Sequence, residues 1–596
     1  MDVEIEKRIS EVMSMLQRMS IDGIDFQQMD PVAKMMLVAL VAEEQKIQDY
    51  VDNLSERLVD RFCSDFIPRR KVEATPAVCL IRPGLKATRD SSVSNVGSGA
   101  VFSFKAEGLK TPLNYIPIFN TTMLPHDDVC MVSHSMMTDG NRRIAVNMEH
   151  PNWLWLGIKT PVELETLKGL SLFIKGTGGV VPQYIYSGVT GQELNFASML
   201  EMEDIEMVEP FDAQQASGSM FSFIENWKEN LLNIDNASLI YITDDIVDRD
   251  MFKPRAYPRE FPHWLESSVL DGFSADTIWL RIVFPEGFAV PADCRVMLNV
   301  LPVTNIDVET LMLTQTQPIA KLQKQDDSFF LRILETTTAS NQQGFGMMND
   351  ELIIRDFDAA CYHDGDLYRE VRHLYNRFID DYYAFVEYNG IKDGEVLKQL
   401  RETINKLGKS VGLQNRKYSF DSGTYVMKNM NQYPPTTSTK VTYITTMGRL
   451  GNLPRTDDML ENRKLPALDQ KAQIVVAAMG GANKASADER YEQLRYYSLT
   501  NDRLYTRMDV DAFVRKEIMS EFGREEFRRI IVKTTVGGAG GADFLHRGLY
   551  VDIEFKDKKN YQHAVDSMFD KRVQQKITNK SCIALPIIVT LTNLET

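Results

Sequence analysis

The chain has 596 residues, of which 43% are hydrophobic and 25% charged, the ordinary balance of a globular protein. At ~150 residues per domain this length holds about three to five domains. The net charge of −16 argues against wholesale binding to DNA or to an anionic membrane surface, since both require a basic field.

In chain order, residues 3–19 read as a short amphipathic helix with Ile5, Ile9, Val12, Met13 and Leu16 on its apolar side. Asp30-Pro31 then opens a long helix, an N-cap followed by proline at the first helical position, where the missing N–H costs nothing. Met36, Leu40, Ile47, Val51, Leu54, Leu58 and Phe62 form one apolar stripe at helical spacing, while Glu43, Glu44, Asp49, Asp52, Glu56 and Asp60 fall on other faces. At about 1.5 Å per residue the helix is roughly 50 Å long. These seven positions are the candidate partner-binding residues, and packing of the stripe on the chain's own sheets is the alternative.

From Pro76 the texture changes to short β-rich runs between Gly, Asn, Asp and Pro turns: AVCLI at 77–81, AVFSFK at 100–105, IAVNME at 144–149, LWLGIK at 154–159 and SLFIKG at 171–176. SLIYIT at 238–243, TIWLRIVFP at 277–285 and RVMLNVLPVTNI at 295–306 continue the pattern. Helical faces are expected at Leu367–Phe385 and Val396–Leu407, strands over 420–450, and loop with short helix over 452–500. The last segment reads as a compact α/β unit. Thr506 and Asp509 cap a helix that Gly523 stops, followed by strands at 529–535 and 548–556, a helix at 560–577 and a strand at 584–591.

The expected fold class is therefore α+β and multidomain: long N-terminal helices, β-sandwich-like middle domains and a small C-terminal α/β domain. The expected divisions are 1–75, 76–260, 261–360, 361–500 and 501–596.

Motifs of catalysis are sparse. The glycine-rich Gly537–Gly541 run lies between two strands with no helix N-terminus or Lys-Ser/Thr pair after it, so it reads as a hairpin loop. His126, Asp127, Asp128 and His134 lack a ligand spacing, and His363, Asp364, Asp366 and His373 read as a cap and an exposed helix face. The six cysteines are scattered, with no CxxC, and read as reduced, mostly buried thiols of a cytosolic protein. No secretory leader or membrane-spanning apolar run is read. No catalytic, cofactor-binding or metal-ligating residue is assigned, and the expectation is a protein without enzymatic activity.

Three segments carry a resemblance to the TssF family, the baseplate wedge protein of type VI secretion systems. The first is 30–83, with Asp30-Pro31, the stripe through Phe62, Phe66-Ile67-Pro68 and Thr75-Pro76-Ala77-Val78. The second is 261–307, where a strand such as Leu298 to Leu301 leads into Pro302-Val303-Thr304-Asn305. The third is 503–533, similar to a helix-strand unit of contractile-tail baseplate wedge proteins. The family's usual Leu-Tyr-Pro step is Phe66-Ile67-Pro68 here, which points to a divergent branch or a related phage-like machine.

The resemblance implies a structural subunit that joins a TssG-like partner and a second copy of itself in a wedge heterotrimer around the spike, to nucleate tube and sheath. TssK-like, TssE-like and VgrG-like spike proteins are the further partners it implies. Its location would be cytoplasmic, peripheral to an envelope-spanning complex, with no nucleic acid and no membrane insertion. A β-sandwich carbohydrate-active enzyme and a phage-tail baseplate or adaptor protein are the alternatives.

Overall fold

The structure, a computed structural model, describes most of residues 73–346 and 423–593, together with 352–357 and the helical positions Val32, Met36, Gln399, Glu402, Thr403 and Lys406. The chain divides into two compact units. One comprises Met1–Phe62, Thr316–Leu322 and Asn349–Gln432; the other comprises Cys63–Gln315, Gln323–Met348 and Tyr433–Thr596.

Among the described residues the fold is mainly β, which corrects the α+β expectation; the expected long N-terminal helices lie outside the described residues, apart from the helical Val32 and Met36. The described residues form twenty-nine strands in seven sheets against five α-helices, the longest of 15 residues. Many strands span only three to five residues. Each then offers too few alternations to outweigh one long helical stripe when the sequence is read by periodicity. The stripe itself, apart from Val32 and Met36, and the helical faces at 367–385 and 396–407, apart from Gln399, Glu402, Thr403 and Lys406, lie outside the described residues. So does the Gly537–Gly541 run.

In the larger unit the centre is a closed barrel. Its order is Val78–Leu85, Leu301–Thr304, Leu113–Pro117, Phe102–Phe104, Met459–Asn462 and Leu468–Met479, which pairs back to Val78–Leu85. The run that begins the first strand is apolar at every position because both of its faces are covered. Cys79 and Ile81 join a cluster with Phe102, Tyr115 and Leu460, while Val78 and Leu80 join another with Phe119, Phe173 and Tyr241. The strand Leu468–Met479 and its neighbour Met459–Asn462 fall where loop and short helix are expected. The first half of Leu468–Met479 (LDQKAQ) is largely solvent-exposed, so its polar composition hides a strand.

A two-sheet sandwich stands beside the barrel. A seven-stranded sheet (Glu193–Leu194, Tyr184–Ser187, Thr277–Val283, Trp153–Lys159, Val129–Ser133, Met136–Asp139, Arg142–Ala145) packs on a four-stranded sheet (Phe196–Ser198, Ala237–Ile242, Ser171–Lys175, Arg295–Leu298). Leu154, Leu156, Ile278, Leu280 and Ile282 meet Leu172, Ile174, Ile240 and Val296 between them. The other face of the four-stranded sheet, with Phe173, Leu239 and Tyr241, packs on Val78 and Leu80 of the barrel.

The chain crosses from sandwich to barrel at Asn299, which sits at φ 60 and whose amide side chain bonds both the N–H and the carbonyl of Leu124 at 2.9 Å. Asparagine tolerates this left-handed backbone better than a branched residue. The β-rich run at 295–306 is thereby split into Arg295–Leu298 and Leu301–Thr304, and the strand expected over 298–301 is instead the crossing between them.

A further sheet (Asp307–Thr314, Ser438–Thr446, Phe329–Ser340, Gln343–Gly346) follows. At the C-terminal end, Phe527–Val536, Arg547–Phe555 and Ile587–Asn593 form a sheet with an antiparallel and then a parallel pairing. The helices Arg507–Glu521, Lys558–Asp566 and Phe569–Lys580 bury Phe513, Ile518, Ala564, Val573 and Ile577 against it. The expected capping box is present: Thr506 Oγ1 accepts from the Asp509 N–H, and the Asp509 carboxylate accepts from the Thr506 N–H at 2.8 Å. The smaller unit contributes a three-stranded antiparallel sheet, Ile319–Lys321, Gly423–Met427 and Ile353–Phe357, with Val426 buried at its centre.

Candidate assembly site

Proline cannot donate to a sheet ladder, and Pro302 stands inside a barrel strand. The ladder is kept by its neighbours: Thr304, Val303, Pro302 and Leu301 lie opposite Val78, Cys79, Leu80 and Ile81, and Ile118 donates to the Pro302 carbonyl at 3.0 Å. Two of the three segments that carry the family resemblance are thus adjacent antiparallel strands, although more than 200 positions separate them.

The polar residue that ends the second motif is the junction. Asn305, 1% exposed, donates its backbone N–H to the Ala77 carbonyl (2.8 Å) and its side-chain amide to the Asn114 carbonyl (2.8 Å). Its Oδ1 accepts the Met447 N–H (3.1 Å) and its backbone carbonyl accepts the Thr446 hydroxyl (2.8 Å). Thr304 adds a hydroxyl bond to the Ala77 carbonyl, and the indole of Trp227 donates to that hydroxyl at 3.3 Å. Every one of these groups would be costly to bury unpaired, so the network defines one arrangement of the three segments.

Around this junction wraps a 3-10 turn, Gly448–Asn452. Gly448 sits at φ +52, and a Cβ there would meet the Ala482 carbonyl at 2.9 Å. A Cβ on Gly481 would lie 2.4 Å from the Gly448 carbonyl. Asn452 locks the opposing backbone by donating to the Gly481 carbonyl (2.7 Å) and accepting its N–H (2.8 Å). Thr75, from the first motif, pairs its backbone with Ala482 in both directions and donates its hydroxyl to the Gly480 carbonyl. Tyr115 reaches across the barrel interior to the Gly451 carbonyl at 2.6 Å.

The same turn holds the third segment. Arg449 donates to the Met519 and Ser520 carbonyls at the end of the helix Arg507–Glu521, at 2.9 and 3.3 Å, and pairs with Glu489 at 2.9 Å. These carbonyls lie in the last turn of the helix, where a cation is favoured by the helix dipole; the Met519 carbonyl also accepts the Gly523 N–H at 3.1 Å. The turn therefore holds the third segment directly, while the other two bond its flanks, Asn305 at Met447 and Thr75 at Gly480 and Ala482. The sequence reading assigned no residue of this turn, because a short Gly-Arg-Leu-Gly-Asn run between strands has no pattern of its own.

Beside the junction opens a cleft of about 440 Å³ with Val101, Ile116, Ile306 and Leu334 in its walls and Asp307, Arg463 and Lys464 among its polar lining. Asn114 donates to the Asp307 carboxylate at 2.7 Å. Of the seven stripe residues, Met36 is described: it is helical and 63% exposed. Leu40, Ile47, Val51, Leu54, Leu58 and Phe62 lie outside the described residues. Cys79, Cys130 and Cys294 are buried free thiols and Cys582 is exposed. Among the described residues no three His, Cys, Asp or Glu side chains gather as a metal site, and no helix is long and apolar enough to cross a membrane.

No family model and no curated protein matches the chain. Among solved structures, the type VI secretion system TssK-TssF-TssG baseplate subcomplex, determined by cryo-electron microscopy, holds a chain similar to this one, aligned over 94% of this chain and 95% of that chain at 11% identity with a TM-score of 0.39.

Proposed function

We propose that this protein is a structural, non-enzymatic subunit of a contractile-injection baseplate of the type VI secretion kind, acting as a TssF-like wedge component. The observation that carries the reading is that the three resembling segments are bonded in and around the Gly448–Asn452 turn: the third through Arg449 of the turn, the second through Asn305 to Met447 just before it, and the first through Thr75 to Gly480 and Ala482 beside it. A subunit that transmits force between neighbours needs its domains held at fixed angles. Buried, hydrogen-bonded polar junctions supply such a joint better than apolar contacts, which tolerate sliding. In the assembly the chain joins a TssG-like subunit and a second copy of itself, with TssK-like, TssE-like and spike proteins as further neighbours, on the cytoplasmic side of the envelope.

The exposed Met36 begins the apolar stripe that supports partner contact in this reading. Burial of seven large apolar side chains gives about 1.5–3 kcal/mol each before ordering costs. Deletion of the gene in the source organism, with the sheath fluorescently tagged, tests the role. Loss of sheath assembly, restored by the wild-type chain, is the expected result; normal sheath assembly and contraction without the protein contradicts it.

A further inference from the structure

The outer face of the seven-stranded sheet carries a charge that the fold does not use. Arg281 and Trp155 are cross-strand neighbours, Tyr186 lies opposite Arg281 on its other side, and Trp153 pairs with Val283 two residues along. By strand alternation all four side chains share a face. The Arg281 guanidinium lies 4.5 Å from the ring centre of Trp153 and 4.9 Å from that of Tyr186, with Trp155 at 5.7 Å.

The middle of this face, with Trp155 and Trp279, is covered by Phe261, Leu265 and Leu270, whereas Trp153, Tyr186 and Arg281 are half-exposed and Tyr184 is exposed. Arg281 makes no ion pair or hydrogen bond among the described residues, and its Nε is buried without an acceptor, as is the Nε1 of Trp155 beside it. Glu193, the nearest carboxylate in that cross-strand row, stands two strands away beyond Tyr186. A guanidinium flanked by rings and short of acceptors suits a bidentate carboxylate contact.

We propose that Arg281, flanked by Trp153 and Tyr186, anchors a docking site for an acidic segment of a partner protein, whose Asp or Glu side chain accepts from the guanidinium's accessible Nη groups. The local charge selects this occupant: a guanidinium without an ion pair attracts a carboxylate at short range, and only there, since the net charge of −16 gives no long-range attraction for an acidic partner. Tryptophan, tyrosine and arginine together are also the side chains that dominate protein interfaces. A stacked sugar fits less well, because His150 already lies 3.8 Å from the Trp153 ring centre and the guanidinium takes up more of its π surface. The site does not depend on the baseplate reading, and its test uses the full chain without any baseplate partner.

Fluorescence anisotropy with a labelled peptide alternating Glu and Leu, a matched peptide alternating Gln and Leu, and unlabelled chito-oligosaccharide as competitor makes the test. The Glu peptide is expected to bind in preference to the Gln peptide and to be released by salt. Arg281→Gln is expected to weaken binding about tenfold or more, and Arg281→Lys to recover part of it, because lysine keeps the charge without the planar fork. Absence of Glu-peptide binding, equal binding of the Gln peptide, unchanged binding by a folded Arg281→Gln, or displacement by the sugar each overturns the proposal. The comparison of the two peptides on the wild-type chain decides the question even where the variant fails to fold.

Discussion

Asn305 ties three chain segments with one side chain and its own backbone, so its replacement is expected to cost far more than its size suggests. Asn305→Ala leaves the Asn114 carbonyl and the Met447 N–H without partners. Each orphaned group costs about 1–3 kcal/mol, and chemical denaturation should show a loss in the upper part of that range or beyond. Gly481→Ala is expected to destabilise by about 1–3 kcal/mol for a different reason, since its Cβ would strike the Gly448 carbonyl, which belongs to a backbone that cannot swing away. Unchanged midpoints for both would dismiss the junction as the determinant of the fold.

At the same scale the thiols separate sharply. Burial pushes Cys130 and Cys294 up to about 12, the former aided by Asp139 and opposed by Lys159, the latter aided by Asp293. At neutral pH these side chains stay protonated and unreactive. Mass spectrometry after brief alkylation should find Cys582 modified, and Cys79, Cys130 and Cys294 modified only after denaturation.

Among the elements, the C-terminal α/β unit is fastened to the barrel turn by Arg449 and by the pairing of Arg455 with Asp566 at 3.6 Å. Arg449→Ala removes the cation over two terminal carbonyls and is expected to cost about 1–3 kcal/mol. Hydrogen exchange should quicken first at the end of the helix Arg507–Glu521, while the sandwich strands keep their protection.

His563, on the neighbouring helix, makes the same unit sensitive to acid. Burial, joined by Arg572 and Arg455 and opposed by Glu521 and Asp566, holds its imidazole below the ordinary 6.5. The unfolded chain then binds the proton more readily than the folded one, so stability falls as pH drops below 6.5 and levels off beneath the folded value. Thermal melts of His563→Asn should show a shallower slope across that window; an identical slope would assign the acid sensitivity elsewhere.

Elements also differ in how well their composition announces them. The capped helix at 507–521 was readable because a capping box, an apolar stripe and a stop glycine agree within one short span. TIWLRIV and LWLGIK were readable as strands, but their pairing with each other across more than 100 positions was not, since register depends on partners that are distant in sequence. The strand Leu468–Met479 was hidden by its exposed polar start. Arg281 escaped notice altogether, because one arginine within an apolar strand signals nothing until the flanking strands bring Trp153 and Tyr186 beside it.

Within the larger unit, the barrel, the four-stranded sheet and the seven-stranded sheet form successive layers, each face of the middle sheet packed on a neighbour. Such layering gives that unit a stiff body, and in the proposed assembly the separate stripe from Met36 to Phe62 is the partner contact. Val51→Asp with Leu54→Asp places two charges mid-stripe, at a cost of several kcal/mol, on the order of that for burying an unpaired charge. The doubly substituted chain should fold as the wild type does and fail to co-purify with a TssG-like partner; retention at wild-type yield would remove that face from the contact.

The most direct measurement is the native mass of the 68.0 kDa chain co-expressed with a TssG-like neighbour. A complex holding two copies of this chain and one of the partner is the predicted result. A chain that runs alone as a monomer beside an unbound partner would contradict the account.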